Sequence, residues 1–196
     1  MEIKLPKSTK DLRIKHLKAL MNPTYEGDLT LMQVNEFMAE FTGEHLNDIL
    51  IIDAHDIIKM YHHVKDLYSD IRINKPPQEV TLNGLVYELI NPHKVGSGWH
   101  MDWGKGDINK DPVWMACLFY YPKGVRYGTT DENKNLLYPI KDRYNIFERE
   151  LPLQTFLEAS GFFLLKMEQS TRLSMEKQKV MEKTIKVLSL FHGKKQ

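Results

Sequence analysis

The residues His100, Met101 and Asp102, with His192 far along the chain, make the sharpest constellation for chemistry in this sequence. A His-x-Asp pair on an irregular strand, joined by one distant histidine, is the ligand set with which non-haem Fe(II) oxygenases hold their metal on one face. That reading needs a β jelly roll to bring the three side chains together. A second histidine-rich run, "HDIIKMYHH", spans residues 55–63. On a helix His55 and His62 share one side and oppose the apolar stripe, and a rise of about 1.5 Å per residue sets them about 10 Å apart, too far for one zinc ion. They are expected to face water and hold no metal. Cys117 is the lone cysteine and sits in the apolar run "WMACLFYY", so disulfide and CxxC chemistry are excluded and the thiol reads as a small core residue. "GSGWHM" lacks the third glycine of a dinucleotide loop, and G-x-S-x-G, Walker A and H-E-x-x-H patterns do not occur.

The elements that must position these residues are mostly helical. "STKDLRIKHLKALM" has Ser8 three residues before Asp11 and a stripe of Ile14, Leu17, Leu20 and Met21, which predicts a helix ended by Asn22 and Pro23. Thr30 as N-cap, the face Val34, Phe37, Met38 and Phe41, and Gly43 just past the end predict a second. After the short β-branched run "ILII", Asp53 and Asp56 precede the stripe Ile57, Met60, Tyr61, Val64, Leu67 and Tyr68, the strongest helical signal in the chain. Pro76 and Pro77 form a junction at residues 75–78, and "EVTLNGLVYELI" then alternates around Asn83-Gly84, the signature of a type I′ hairpin near residues 78–90. "NPHKVGSGWHMDWGKGD" has loop composition. Asp111 and Pro112 start a short helix through "DPVWMACLFYYPKG" that Pro122 and Gly124 end. A polar loop follows, then a helix from about Pro152, then a C-terminal amphipathic helix at residues 171–196. Its stripe of Val180, Ile185, Val187, Leu188 and Phe191 lies under Lys177, Lys179, Lys183 and Lys186. The expected class is mainly α (α+β), one globular domain over residues 1–196.

At 42% hydrophobic and 27% charged residues, the chain can bury a true core. The net charge of +1 conceals a pattern: residues 1–20 carry +4 and residues 166–196 carry +5, which leaves −8 for the body between. Basic ends could lie on another copy's acidic body or on a nucleic acid, though no basic run with arginine or aromatic interleaving favours the latter. The charged N-terminus "MEIKLPKSTKDLRIK" has no apolar h-region and no stretch approaches a membrane span, so the chain is expected to be cytosolic and unprocessed, without membrane contact. Aromatics concentrate in one span: Trp99, Trp103, Trp114, Tyr120, Tyr121, Tyr127 and Tyr138. Trp114 and Tyr120 read as core, whereas Trp99 and Trp103, flanked by glycines in a loop, are expected to be partly exposed and are candidate interface residues.

The order "GWHMDWG", "DPVWMACLFYYP", "RYG" and "RYNIFERELPLQTFLEASGFFLLKMEQS" resembles a layout found in small tailed-bacteriophage proteins encoded among the head and tail genes, including tail-assembly chaperone-like and minor virion proteins. The resemblance covers roughly residues 79–170: a hairpin, a glycine-aromatic turn with an aspartate, a helix ending in two aromatics and proline, a tyrosine, a polar helix and a late helix with a Phe-Phe pair. It implies a non-enzymatic structural or assembly protein in the virion head or tail, without cofactor or small-molecule substrate. Its partners would be other phage structural proteins or copies of itself, in the virion or in the cytoplasm of the infected host. Candidate contact residues are then Trp99, Trp103, Lys179, Lys183, Lys186 and Phe191. The alternatives are the Fe(II) oxygenase with His100, Asp102 and His192, and a small phage protein that binds a host partner.

Overall fold

The basic N-terminal segment is broken where the periodicity predicts one helix. The computed structural model describes residues 3–108 and 110–166. Here Thr9–Asp11 and Ile14–His16 are single 3-10 turns, and only Leu17–Leu20 (α1) is α-helical. The cause is tertiary: Leu12 and Arg13 are extended, Leu12 O accepts from Leu153 N–H at 2.9 Å, and Arg13 forms a β-bridge with Pro152. The next two expected helices form as predicted. Leu31–Thr42 (α2) starts at Thr30, whose hydroxyl accepts from Gln33 N–H, and ends at Gly43 with φ +78°, a left-handed cap at which glycine carries no side-chain penalty. Leu46–Leu50 (α3) takes up the first two residues of "ILII" as helix. Ala54–Ser69 (α4) has Asp53 as its N-cap and buries Ile57 and Val64 completely.

The junction at Pro76 and Pro77 is pinned, not loose. Pro76 is buried, Pro77 O accepts from Tyr120 OH at 3.0 Å, and Asn74 N–H donates to Glu158 at 3.1 Å. Glu79–Leu82 (β1) and Leu85–Leu89 (β2) form the hairpin, with Asn83 at φ 47° and Gly84 at φ 73°, both as a type I′ turn requires. A third antiparallel strand, Tyr120–Pro122 (β3), pairs with β2. It replaces the end of the helix expected through Pro122: Pro112–Phe119 (α6) is capped by Asp111 at Trp114 N–H as predicted, but stops three residues earlier.

The segment with loop composition is the largest departure from expectation. Residues Ser97–Lys105 form a helix (α5), and a further helix, Ile140–Glu150 (α7), follows the polar loop. The last described element is helical over residues 153–166 (α8). The class is mainly α with one small antiparallel sheet. One apolar core runs from Leu12 to Phe163. In its N-terminal half Phe37 stacks on Phe41 and meets Tyr61 edge-on; in its C-terminal half Trp99, Trp103, Phe119, Phe156 and Phe163 form a continuous aromatic stack. The expected amphipathic helix at 171–196, and with it Lys179, Lys183, Lys186, Phe191 and His192, lies outside the described residues.

Candidate functional site

Trp99 corrects the expectation of an exposed loop tryptophan. On α5 it faces inward, its ring is wholly buried, and Nε1 donates to Leu118 O at 3.0 Å. Trp103, one turn on, is half-buried, stacked on Trp99 at 5.1 Å and on Phe163 at 5.8 Å. The glycine spacing of "GSGWHMDWGKG" suggested a loop, but the i, i+4 tryptophan pair was the available helical signal. Gly106 lets α5 end hard against α6, because a Cβ there would overlap Met115 Sδ.

Helical backbone also decides the fate of the His-x-Asp pair. Two residues apart on a helix, His100 and Asp102 point roughly 200° apart. His100 is exposed, while Asp102 turns towards Tyr127, whose hydroxyl donates to Oδ2 at 2.7 Å, and towards Lys105 Nζ at 3.2 Å from Oδ1. The two side chains therefore do not converge. Among the described residues no three His, Cys, Asp or Glu side chains are grouped to hold a metal ion. His55 and His62 are exposed, as the helical wheel predicts. Cys117 is buried, and loss of solvent pushes its thiol up to about 12, far from a reactive thiolate.

Around Asp102 the structure assembles a site that no short motif announces. Asp102 from α5, Trp114 from α6, Tyr121 from β3, Tyr127, Gly128, Leu136, Tyr138 and Pro139 from the connecting loop, and Ile140 and Lys141 from α7 line a pocket of about 250 Å³. Its walls are tied down. Trp114 Nε1 donates to Asp102 O at 3.3 Å, and burial together with the bond to Asp102 holds the Tyr127 phenol far above its ordinary range. The loop is itself ordered: Asp131 Oδ1 accepts from Asn133 and Asn135 N–H groups, and Leu137 N–H donates to Thr129 O at 2.8 Å.

Behind this pocket lies Arg143, only 2% exposed. Its Nε donates to Tyr138 O at 3.0 Å, its Nη1 to Cys117 O at 2.7 Å and Tyr120 O at 3.0 Å, and its guanidinium lies 4.8 Å from the Tyr121 ring. Nη2 has no hydrogen-bond partner among the described residues. A buried guanidinium held by carbonyls costs solvation, and it is retained here while it joins α6, β3, α7 and the loop. Tyr138 has φ +65°, a left-handed conformation uncommon for an aromatic residue, and the Arg143 bond to its carbonyl helps to hold it.

A larger cleft of about 390 Å³ lies between the N-terminal segment, α6 and α7. Its lining mixes Lys15, Lys18 and Lys110 with Glu40, Asp111 and Glu148, and Lys110 is already paired with Asp107 at 3.4 Å. Lys18 pairs with Glu40 at 3.4 Å, and Tyr144 OH donates to Asp111 at 3.0 Å. The smaller aromatic pocket is therefore the stronger candidate. Among the described residues no helix is long and apolar enough to cross a membrane. Comparison with protein-family models, curated proteins and solved structures finds no match.

Proposed function

We propose that this protein is a non-enzymatic structural or assembly component of a tailed bacteriophage, working through contacts with other phage structural proteins or with copies of itself. The contact role is supported by α8. Its stretch "GFFLL" at residues 161–165 is apolar on every side, yet only Phe163 is buried among the described residues; Leu164 is 57% exposed and Leu165 61%. Large apolar side chains grouped at one exposed place mark a surface that a partner covers. Half-buried Trp103 packs on Phe163 at the same place, so an aromatic anchor adjoins the leucines. The phage setting rests on the resemblance across residues 79–170.

A photo-crosslinking amino acid in place of Leu165, introduced during infection, tests the contact. The expected product is a covalent adduct to a second copy or to a phage structural protein, together with the chain's presence in washed particles. Adducts confined to a host protein, with none of the chain in particles, would move the reading to a host-directed phage protein. No adduct at all would overturn the contact role.

A further inference from the structure

We propose that the pocket between α5, α6, β3 and the loop before α7 binds a saccharide unit, an uncharged puckered ring that offers C–H faces and hydroxyl donors. This goes beyond the contact role and stands independently of it.

The shape of the aromatic wall is the first argument. Tyr127 meets Tyr121 at 4.9 Å with an interplanar angle of 48°, and Tyr138 meets Tyr121 at 6.5 Å with 85°. The three tyrosine rings form a corner, not a slot, in a pocket that Trp114 also lines. A flat base or aromatic ligand could stack on only one wall of a corner. A puckered ring carries C–H bonds on several sides, and their slight positive charge is attracted to the negative faces of the rings.

Charge is the second. A corner of aromatic rings would also suit an organic cation, but the Arg143 guanidinium already lies 4.8 Å from Tyr121 and Lys141 stands in the wall. Each repels a second positive charge. An anion would meet the Asp102 carboxylate and the ring faces. Lys141 alone could meet an anion, since Arg143 is only 2% exposed behind the wall, so the ring faces and Asp102 weigh towards an uncharged ligand.

Hydrogen-bonding capacity is the third. Two of the wall's aromatic donors, Trp114 Nε1 and Tyr127 OH, are turned onto Asp102, while Tyr121 and Tyr138 bring two further hydroxyls to the lining. What the pocket retains is the spare acceptor capacity of Asp102, since a carboxylate accepts about four hydrogen bonds, the Tyr121 and Tyr138 hydroxyls, and the Lys141 ammonium as a donor. Sugar hydroxyls donate to Asp102 and accept from Lys141. A proline-rich segment, which brings carbonyls and few N–H groups, would leave the spare acceptor positions of Asp102 unmatched.

The test follows the Trp114 indole N–H by two-dimensional ¹⁵N NMR while the intact protein is titrated with methyl glycosides of glucose, galactose, mannose and N-acetylglucosamine. At least one should give a saturable shift with about millimolar affinity, weakened about tenfold or more by Tyr138→Asn. Asparagine tolerates the left-handed backbone, so that variant removes the ring with little strain. Lys141→Ala, at an exposed position, is the second variant and should also weaken the response. No saturable shift with any of the four glycosides would overturn the proposal, as would a shift unchanged in both variants. Saturation by tetramethylammonium or tetraproline in place of a glycoside would overturn it too.

Discussion

Two halves of this molecule are held by different kinds of contact. Residues 30–69, which contain α2, α3 and α4, are joined by apolar stripes: Phe37, Met38 and Phe41 against Ile57, Tyr61 and Val64. Residues 91–150, beside their aromatic stack, are joined by single polar atoms reaching backbone carbonyls, most of them far away in sequence: Trp99 to Leu118, Tyr120 to Pro77, and Arg143 to Cys117, Tyr120 and Tyr138. In the first half each helix carries the pattern that packs it. In the second, each element depends on a partner that no local pattern names. A stripe tolerates exchange of one apolar side chain for another, whereas a side chain bonded to two or three carbonyls has few substitutes.

The largest effects should come from breaking either half at its centre. Val64→Asp places an unpaired charge at a fully buried position of α4 and should cost several kcal/mol, roughly 4 or more, enough to unfold the chain. Circular dichroism would show no cooperative melt, and a soluble, cooperatively melting variant would contradict the packing described. Arg143→Met keeps much of the side-chain volume but orphans three carbonyls, at about 3–5 kcal/mol. Arg143→Lys should recover little of this, because one ammonium cannot span α6, β3 and the loop. Full rescue by lysine would mean that charge alone mattered.

A smaller effect separates the halves by pH. His16 is stacked on Phe41 at 4.6 Å, its Nδ1 accepts from Arg13 N–H, and burial, helped by Lys15 and Arg13, depresses its pKa from 6.5 to about 4. The folded state therefore refuses a proton that the unfolded chain accepts. The stabilisation is full above about pH 6.5 and is lost as pH falls towards 4, by about 2–3 kcal/mol. His16→Gln should flatten that part of a stability-against-pH curve measured by urea titration. An unchanged slope would place the acid sensitivity elsewhere. The smallest effect is at Trp99: Trp99→Phe keeps a ring in the stack but leaves Leu118 O without its donor, for about 1–3 kcal/mol, seen as a lower melting temperature. A melt equal to that of the unaltered chain would show that the stack, not the hydrogen bond, fixes α5.

The two halves also differ in how far they could be read in advance. Thr30 and Gly43 bound α2, Asp53 starts α4, and Asn83-Gly84 closes the hairpin, each where its chemistry predicts, because caps and turns are settled by bonds within a few residues. The aromatic pocket was legible only as a concentration of Trp and Tyr. Its Asp102 stands in a His-x-Asp pattern whose metal chemistry helical geometry does not support, and Arg143 carries no signal, because an arginine in the charged run "KDRYNIFERE" looks like any solvated charge.

By itself the sequence determined the class, mainly α with one hairpin, and the positions of α2, α4 and the start of α6, since 3.6-residue periodicity and capping are local physics. Tertiary structure decided the rest. The N-terminal helix was broken so that Leu12 could bond to Leu153, and the glycine-rich run became α5 because burying Trp99 against Leu118 and Phe163 outweighs the weak helix propensity of its glycines. Tyr120–Pro122 became a strand because β2 offered it an edge. In each case a long-range contact overrode a local preference worth about 1 kcal/mol or less per residue.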